Sequence, residues 1–193
     1  MIKISDIPVL NGKYKKEASH AFLFALLTAI GAQMIVPAYP VPFTLQSYFV
    51  MLSGALLGSR WGAASQIIYL FLGAIGLPVF AELSGGFHFL IGISGGYLLA
   101  FPVSAFITGL ICEQIDNWFG LLLGLFIGTI AILIIGSLYM TVLLEKNIAI
   151  SLYDGLTKFT EWSSLKLVMA FGTVLLYRFF RKVRTQSSIT NKT

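Results

Sequence analysis

The sequence predicts an all-α membrane protein: a bundle of six transmembrane helices with both termini in the cytoplasm. Of its 193 residues, 57% are hydrophobic and only 11% are charged, whereas an average soluble domain is about 45–50% apolar and about 25% charged. The hydrophobic residues form six runs, and only the last run contains a charged residue, Lys166. We therefore expect a multi-pass protein of the cell membrane, with the lipid bilayer as its solvent.

The first three runs are separated by helix-breaking residues. Residues 18–36 precede a proline-rich segment at 37–42, where proline lacks the amide that would continue a helix. The second run begins at Thr44 and reaches residue 58, and the third occupies residues 61–76. We interpret the Ser59-Arg60 pair between them as a tight turn at a water interface.

The longest predicted loop follows the third run. Residues 76–95 are rich in glycine and contain Pro78 and Glu82, which predicts a long connection, packed because it is also apolar. The remaining helices are predicted in three runs, with a polar stretch at 145–161 before the last one. These runs are residues 96–111, 118–144 and 162–177.

The distribution of lysine and arginine predicts the orientation, because these residues accumulate on cytoplasmic loops. With both termini inside, only Lys146, Lys158 and Lys166 of the 13 basic residues fall on the outer side. The proline-rich loop, the glycine-rich loop and the start of the sixth helix then share the outer side. The predicted division is a cytoplasmic segment at 1–17, one six-helix domain at 18–182 and a cytoplasmic tail at 183–193.

The sequence contains none of the motifs that would indicate catalysis or a cofactor. One cysteine, Cys112, and two histidines do not form a metal-binding pattern. No Walker-type phosphate loop, zinc-protease helix or nucleophile elbow is present. The net charge of +5 does not indicate nucleic acid, because the basic residues cluster at the chain ends. We expect no cofactor, no metal and no enzymatic activity.

Small residues recur at helical spacing. Ala21, Ala25 and Ala29 form a stripe along the first helix, and such stripes let helix backbones approach closely. The stripe is interpreted either as internal packing or as a docking surface for another membrane protein. The glycine stripes are interpreted mainly as internal packing; they are Gly54, Gly58 and Gly62, and Gly120, Gly124 and Gly128.

Lys166 is the charge that most clearly lies where lipid is expected. It sits about one turn inside the sixth run, with no acidic residue three or four positions away, and a charge at the bilayer centre costs at least about 2.5–3.5 kcal/mol. Its ammonium either reaches the outer interface or awaits a carboxylate ligand. Glu82 and His88 are expected to be solvated loop residues, with Glu82 the better candidate for a binding role.

Four segments of the sequence carry a specific resemblance. They are VPFTLQ at 41–46, GALLG at 54–58, LGAIGLPVF at 72–80 and GISGGY at 92–97, together with Tyr69. In these segments the chain resembles the BioY family, closely over residues 18 to 102 and more loosely in the last helix. The resemblance implies a six-helix membrane subunit, the S component of an energy-coupling factor (ECF) transporter, that binds biotin with high affinity.

The resemblance also implies where biotin binds: under the first and third loops, against the last helices. Lys166 would pair with its carboxylate, and Phe80 and Trp162 would pack on its ring. The family acid three positions before the lysine is replaced here by Ser163. Two alternatives follow: Glu161 or Glu82 supplies that charge, or Ser163 or Ser164 hydrogen-bonds the ligand instead. The predicted contact residues are Thr44, Gln46, Phe80, Glu82, Ser94, Gly95, Gly96, Tyr97, Trp162, Ser163, Ser164 and Lys166.

The resemblance further implies partners. The alanine stripe at Ala21, Ala25 and Ala29 would meet a transmembrane coupling protein, the T component, which binds a pair of cytoplasmic ATPases. The alternatives are an S component for another vitamin, such as thiamine or riboflavin, and an autonomous membrane carrier. A membrane-embedded enzyme is disfavoured, because Lys166 has no cluster of titratable neighbours in the sequence.

Overall fold

The computed structural model describes the backbone of residues 12–37, 43–144 and 148–190, and the side chains of residues 14–37, 43–144 and 162–184. The predicted helical class is confirmed. Three described stretches, Gly95–Gln114, Trp118–Leu143 and Trp162–Arg184, are long and apolar enough to cross a membrane. In order, the elements are α1 (Gly12–Gln33), β1 (Ile35–Val36), β2 (Phe43–Thr44), α2 (Gln46–Ala74), a 3-10 turn (Ala81–Leu83), α3 (His88–Ile91), α4 (Gly95–Gln114), α5 (Trp118–Leu143) and α6 (Ile148–Thr190).

Helix α2 consists of two arms, residues 46–57 and 59–74, which fold back on each other at Gly58. Gly58 has φ 82° and ψ 179°, a conformation that glycine adopts without steric penalty. A Cβ on Gly62 would lie 2.8 Å from the Cα of Gly54, whereas residues eight apart in a straight helix are separated by about 12 Å. The predicted break is therefore confirmed, and the structure places it at Gly58 rather than within Ser59-Arg60.

Glu113, near the end of α4, fixes the start of the second arm. One of its carboxylate oxygens accepts a hydrogen bond from the Ser59 amide and the other from the Ser59 hydroxyl, each at 2.8 Å. An acidic group is favourable here because the first amides of a helix have no partner within the helix. Each arm is shorter than the roughly 20 residues that span a bilayer, so neither arm counts among the three long apolar stretches.

A short strand pair at the end of α1 was not predicted. Helix α1 ends at Gln33 rather than residue 36, and β1 pairs with β2 in antiparallel register, Ile35 opposite Thr44 and Val36 opposite Phe43. The pairing brings the end of α1 beside the start of α2. Residues 38–42, which include most of the predicted proline-rich loop, lie outside the described residues.

The glycine-rich loop at 76–95 is packed, as predicted, although it also contains the 3-10 turn and α3. Phe80 is 2% exposed, and its ring occupies the space that a side chain at Gly73 would need. The Gly86 amide donates to the Gly73 carbonyl at 2.7 Å. Glycine at 73 thus lets the loop lie directly on the second arm of α2.

The prediction that residues 145–161 form a polar stretch outside the sixth helix was wrong for most of that segment. The backbone of α6 is helical from Ile148 onward. Residues 148–161 contain one glycine and no proline, so nothing in their backbone chemistry ends a helix. Polarity indicates where a helix leaves lipid, and it does not indicate where the helix begins.

The small-residue stripes pack inside the bundle. Side chains at Gly124 and Gly128 would overlap Thr108 and its backbone, so the internal-packing interpretation of the glycines is confirmed there. Ala21 and Ala25 are 0% exposed, and Ala29 is half-buried. The burial of Ala21 and Ala25 favours the internal-packing interpretation of these two residues over a docking surface.

Candidate functional site

A cavity of about 280 Å³ lies between the first arm of α2 and helices α4, α5 and α6. One side is closed by residues 80–84, which we call the roof turn. Phe80, Ala81, Glu82 and Ser84 of this turn line the cavity, while Glu82 and Leu83 are exposed. The roof turn therefore lies between the cavity and the surface of the bundle.

Most of the residues predicted from the sequence come together in this cavity. Lys166 and Ser163 enter from α6, and the rest come from α2 and its preceding strand, from the roof turn and from the start of α4. The predicted residues that line the cavity are Thr44, Gln46, Phe80, Glu82, Ser94, Tyr97, Ser163 and Lys166.

Four predicted residues are not brought to the cavity. Trp162 is 39% exposed and stacks on Phe43 with the ring centroids 5.9 Å apart, so it packs beside the site. Ser164 is exposed, because it lies on a different side of α6 from Ser163. Gly95 and Gly96 pack against the chain itself: the Leu90 carbonyl lies beside Gly95, and the Tyr139 side chain lies beside Gly96.

The ammonium of Lys166 is buried in the cavity wall. Lys166 is 9% exposed, and its Nζ donates to Ser47 Oγ at 2.6 Å and to the Thr44 carbonyl at 3.3 Å. Across the described side chains, no carboxylate lies within salt-bridge distance of Lys166. An ammonium has three N–H donors, so two neutral acceptors leave one donor and the whole charge available to a ligand. The ammonium does not extend to the interface.

A chain of hydrogen bonds holds Gln46 against the cavity. Thr44 Oγ1 donates to Gln46 Oε1 at 3.0 Å, and Gln46 Nε2 donates to the Tyr69 hydroxyl at 2.7 Å. The Tyr69 hydroxyl in turn donates to the Val79 carbonyl at 3.2 Å. Because Tyr69 is fully buried, this chain fixes the Gln46 amide and connects it to the residue before the roof turn.

Sequence reasoning missed the apolar wall and three polar residues, Ser47, Ser84 and Thr129. Thr129 Oγ1 bonds to the Leu125 carbonyl at 2.8 Å and to Met51 Sδ at 3.1 Å. A hydroxyl in the middle of the apolar fifth run was the available signal for Thr129, and adjacency to Gln46 was the signal for Ser47. The lining residues that were not predicted are Phe43, Ser47, Met51, Ala81, Ser84, Phe89, Leu98, Phe101, Thr129, Ile132 and Leu133.

The chemistry of the cavity suits a small molecule with an apolar body and a carboxylate. Among the described residues that line it, Lys166 is the only cation and Glu82, which is exposed, the only acid. A largely apolar pocket with a few convergent polar groups is the usual form of a small-molecule site. No group of three or more histidine, cysteine or acidic residues that could hold a metal occurs among the described residues.

Known proteins similar to this chain fall in one family. The BioY family model matches residues 8–184. The "Probable biotin transporter BioY" of Pyrococcus horikoshii is 52% identical over 95 residues, 49% of this chain and 59% of the relative. The "Biotin transporter BioY" of Thermotoga maritima is 45% identical over 98 residues, 51% of this chain and 58% of the relative. These two alignments thus cover under three fifths of the relatives' own lengths.

Two further matches extend along nearly the whole chain. The "Biotin transporter BioY" of Lactococcus lactis is 31% identical over 180 residues, 89% of this chain and 93% of the relative. The crystal structure of the S-component for biotin from an ECF-type ABC transporter superposes with a TM-score of 0.78 at 27% identity, covering 89% of this chain and 94% of that one. The resemblance found in the sequence motifs is thereby confirmed: the chain belongs to the BioY family.

Proposed function

We propose that this protein is the biotin-binding S component of an ECF-type ABC transporter for vitamin uptake. The observation that supports this most directly is the Lys166 ammonium, which is buried in a mostly apolar cavity and, among the described side chains, is held only by neutral oxygen atoms. The superposition on an S-component for biotin over 94% of that chain supports the same assignment. Biotin fits this chemistry because it combines an apolar thioether ring and chain, a ureido group and a carboxylate.

In the proposed complex the carboxylate of biotin pairs with Lys166. Serine replaces the family acid at position 163, so the chain itself supplies no negative charge three residues before the lysine. A ligand carboxylate then provides the missing partner of a buried cation. The Gln46 amide, the Ser94 hydroxyl and the Tyr97 hydroxyl are neutral groups suited to the ureido group, and Phe80 packs on the ring.

The proposal includes a six-span topology in the cell membrane, formed by α1, the two arms of α2, α4, α5 and α6. Both termini would be cytoplasmic, with residues 1–17 and 183–193 outside the six-helix domain at 18–182. The lysine and arginine distribution supports this orientation. An Asp116–Arg178 ion pair of 3.4 Å supports placing the connection between α4 and α5 at the same end of the bundle as this part of α6. Biotin would enter from outside.

The proposed partners are a T component and a pair of cytoplasmic ATPases. The sequence carries no ATP-binding motif, so another chain would hydrolyse the ATP that drives uptake. The protein would therefore be a binding subunit and not an enzyme. Since Ala21 and Ala25 are buried, the T component would contact other residues of the bundle.

Competitive binding to the detergent-purified protein tests the proposal. Labelled biotin should bind at one site per chain, unlabelled biotin should displace it, and thiamine or riboflavin should not. Tight binding of thiamine or riboflavin, without binding of biotin, would identify an S component for another vitamin and contradict the proposal.

A further inference from the structure

The roof turn has an unusual backbone. Glu82 and Leu83 both have left-handed conformations, with φ 59° and 53°, and side-chain-bearing residues adopt such conformations only when their surroundings impose them. Leu83 is 68% exposed, so the burial of its side chain does not hold the turn. Other contacts must hold Glu82 and Leu83 in these strained conformations.

A single side chain, Gln33 at the end of α1, bonds to the roof turn on both sides of Glu82. Its Nε2 donates to the Phe80 carbonyl at 2.9 Å and to the Ala29 carbonyl at 3.3 Å. Its Oε1 accepts from the Leu83 amide at 3.0 Å. A carbonyl can only accept and an amide N–H can only donate, so these partners fix which end of the glutamine carries the nitrogen.

We infer that Gln33 is a positioning residue that holds the roof turn closed over the cavity and thereby slows ligand release. This inference rests on the proposed biotin-binding function. Gln33 does not line the cavity, whereas Phe80 and Glu82 do, so its influence on a ligand passes through the turn. The turn's own bonds, from the Phe80 amide to Ser84 and from the Ser84 amide to Ala81, close it internally but do not attach it to α1.

The test compares Gln33→Leu with Gln114→Leu in the full-length protein. Gln114 is a matched control, because it is also the last residue of its helix and its side chain is exposed. We measure hydrogen exchange of the Leu83 amide without ligand, and the dissociation rate of labelled biotin. Gln33→Leu should accelerate both roughly tenfold, a difference of about 1.4 kcal/mol, and Gln114→Leu should leave both unchanged.

The isosteric variant Gln33→Glu provides a second measurement. It retains an acceptor for the Leu83 amide and loses the donor to the Phe80 carbonyl, so biotin dissociation should accelerate by less than in Gln33→Leu. If Gln33→Leu is not recovered folded, unchanged dissociation from Gln33→Glu overturns the inference.

The two proposals can fail separately. Wild-type exchange and dissociation in a folded Gln33→Leu variant would show that Gln33 does not hold the turn, while biotin binding itself would stand. If the wild type does not bind biotin, the proposed function fails, and the ligand-free exchange comparison still decides whether Gln33 holds the roof turn.

Discussion

Two groups of buried polar side chains in the same bundle differ in how their hydrogen bonds are completed. In the first, which we call the Gln66 cluster (Thr28, Ser53, Ser65 and Gln66), both donors of the Gln66 amide are used, toward Ser53 at 3.1 Å and Ser65 at 2.9 Å. Its carbonyl accepts from Thr28 at 3.3 Å. In the second group, at the cavity, Lys166 has two neutral acceptors and no acidic partner among the described side chains.

The difference teaches how to separate structural from functional polar groups inside a membrane bundle. All four residues of the Gln66 cluster are 0% exposed, and the chain itself provides their partners. Lys166 is nearly as buried, yet no described carboxylate pairs with its charge. A buried polar group therefore indicates a ligand site when the chain leaves part of its bonding capacity unused.

The largest effect, a loss of stability, is expected at Gly62, where the two arms of α2 are in backbone contact. Gly62→Leu should destabilise the fold by about 3 kcal/mol or more, because overpacking against backbone is costly and a Cβ at 62 already lies 2.8 Å from the Gly54 Cα. Thermal unfolding monitored by size-exclusion chromatography measures this. Gly172→Leu is the matched control: nothing lies within 4 Å of a Cβ there, so wild-type stability is expected. Equal losses would contradict the packing explanation.

Disrupting the Gln66 cluster should affect stability and leave binding intact. Gln66→Leu preserves the approximate size and removes three hydrogen bonds, at about 0.5–1.5 kcal/mol each. Ser53 and Ser65 retain bonds to the Val50 and Gly62 carbonyls, so the total loss should be about 1–3 kcal/mol. The biotin affinity of the folded fraction should match the wild type. A large drop in affinity at unchanged stability would show that the cluster belongs to the binding site.

The smallest expected effect, on biotin affinity, tests which residues of α6 belong to the cavity. Ser163→Ala should weaken biotin binding by about threefold to tenfold, the loss of one neutral hydrogen bond, whereas Ser164→Ala should not change it. Ser163 is 8% exposed and lines the cavity, while Ser164 is exposed. Isothermal titration of the two variants makes the comparison, and stronger loss from Ser164→Ala would place the ligand on another side of the helix.

The sequence was sufficient for features that depend on local chemistry. The Ser59-Arg60 pair between two apolar runs indicated the fold-back to within one residue of Gly58, and Lys166 in an apolar run indicated the buried cation. The three-residue spacing of Ser163 and Lys166 also puts them on one side of a helix, which could have excluded Ser164 from the site. Trp162, four residues before Lys166, shares that side, so the helical period could not have excluded it. Residue chemistry and helical period are both present in the printed sequence.

Features that depend on which helix meets which could not be predicted. The alanine stripe was visible in the sequence. Its helical spacing, however, does not tell whether this face of α1 packs against another helix of the same chain or against a partner protein. The role inferred for Gln33 could not be predicted for the same reason, because its two partners in the roof turn lie 47 and 50 residues away in sequence. Only the packed structure reveals contacts of that kind.

The proposed function depends most on a direct pairing between Lys166 and the ligand carboxylate, which a two-by-two comparison tests. Wild type and Lys166→Met are each titrated with biotin and with uncharged biotin amide, so that the coupling between the two charges is isolated. A charge-assisted bond contributes about 1.5–3 kcal/mol, so Lys166→Met should weaken biotin binding by roughly tenfold to a hundredfold and change amide binding little. Equal losses for both ligands would contradict a direct pair and, with it, the role assigned to the buried ammonium.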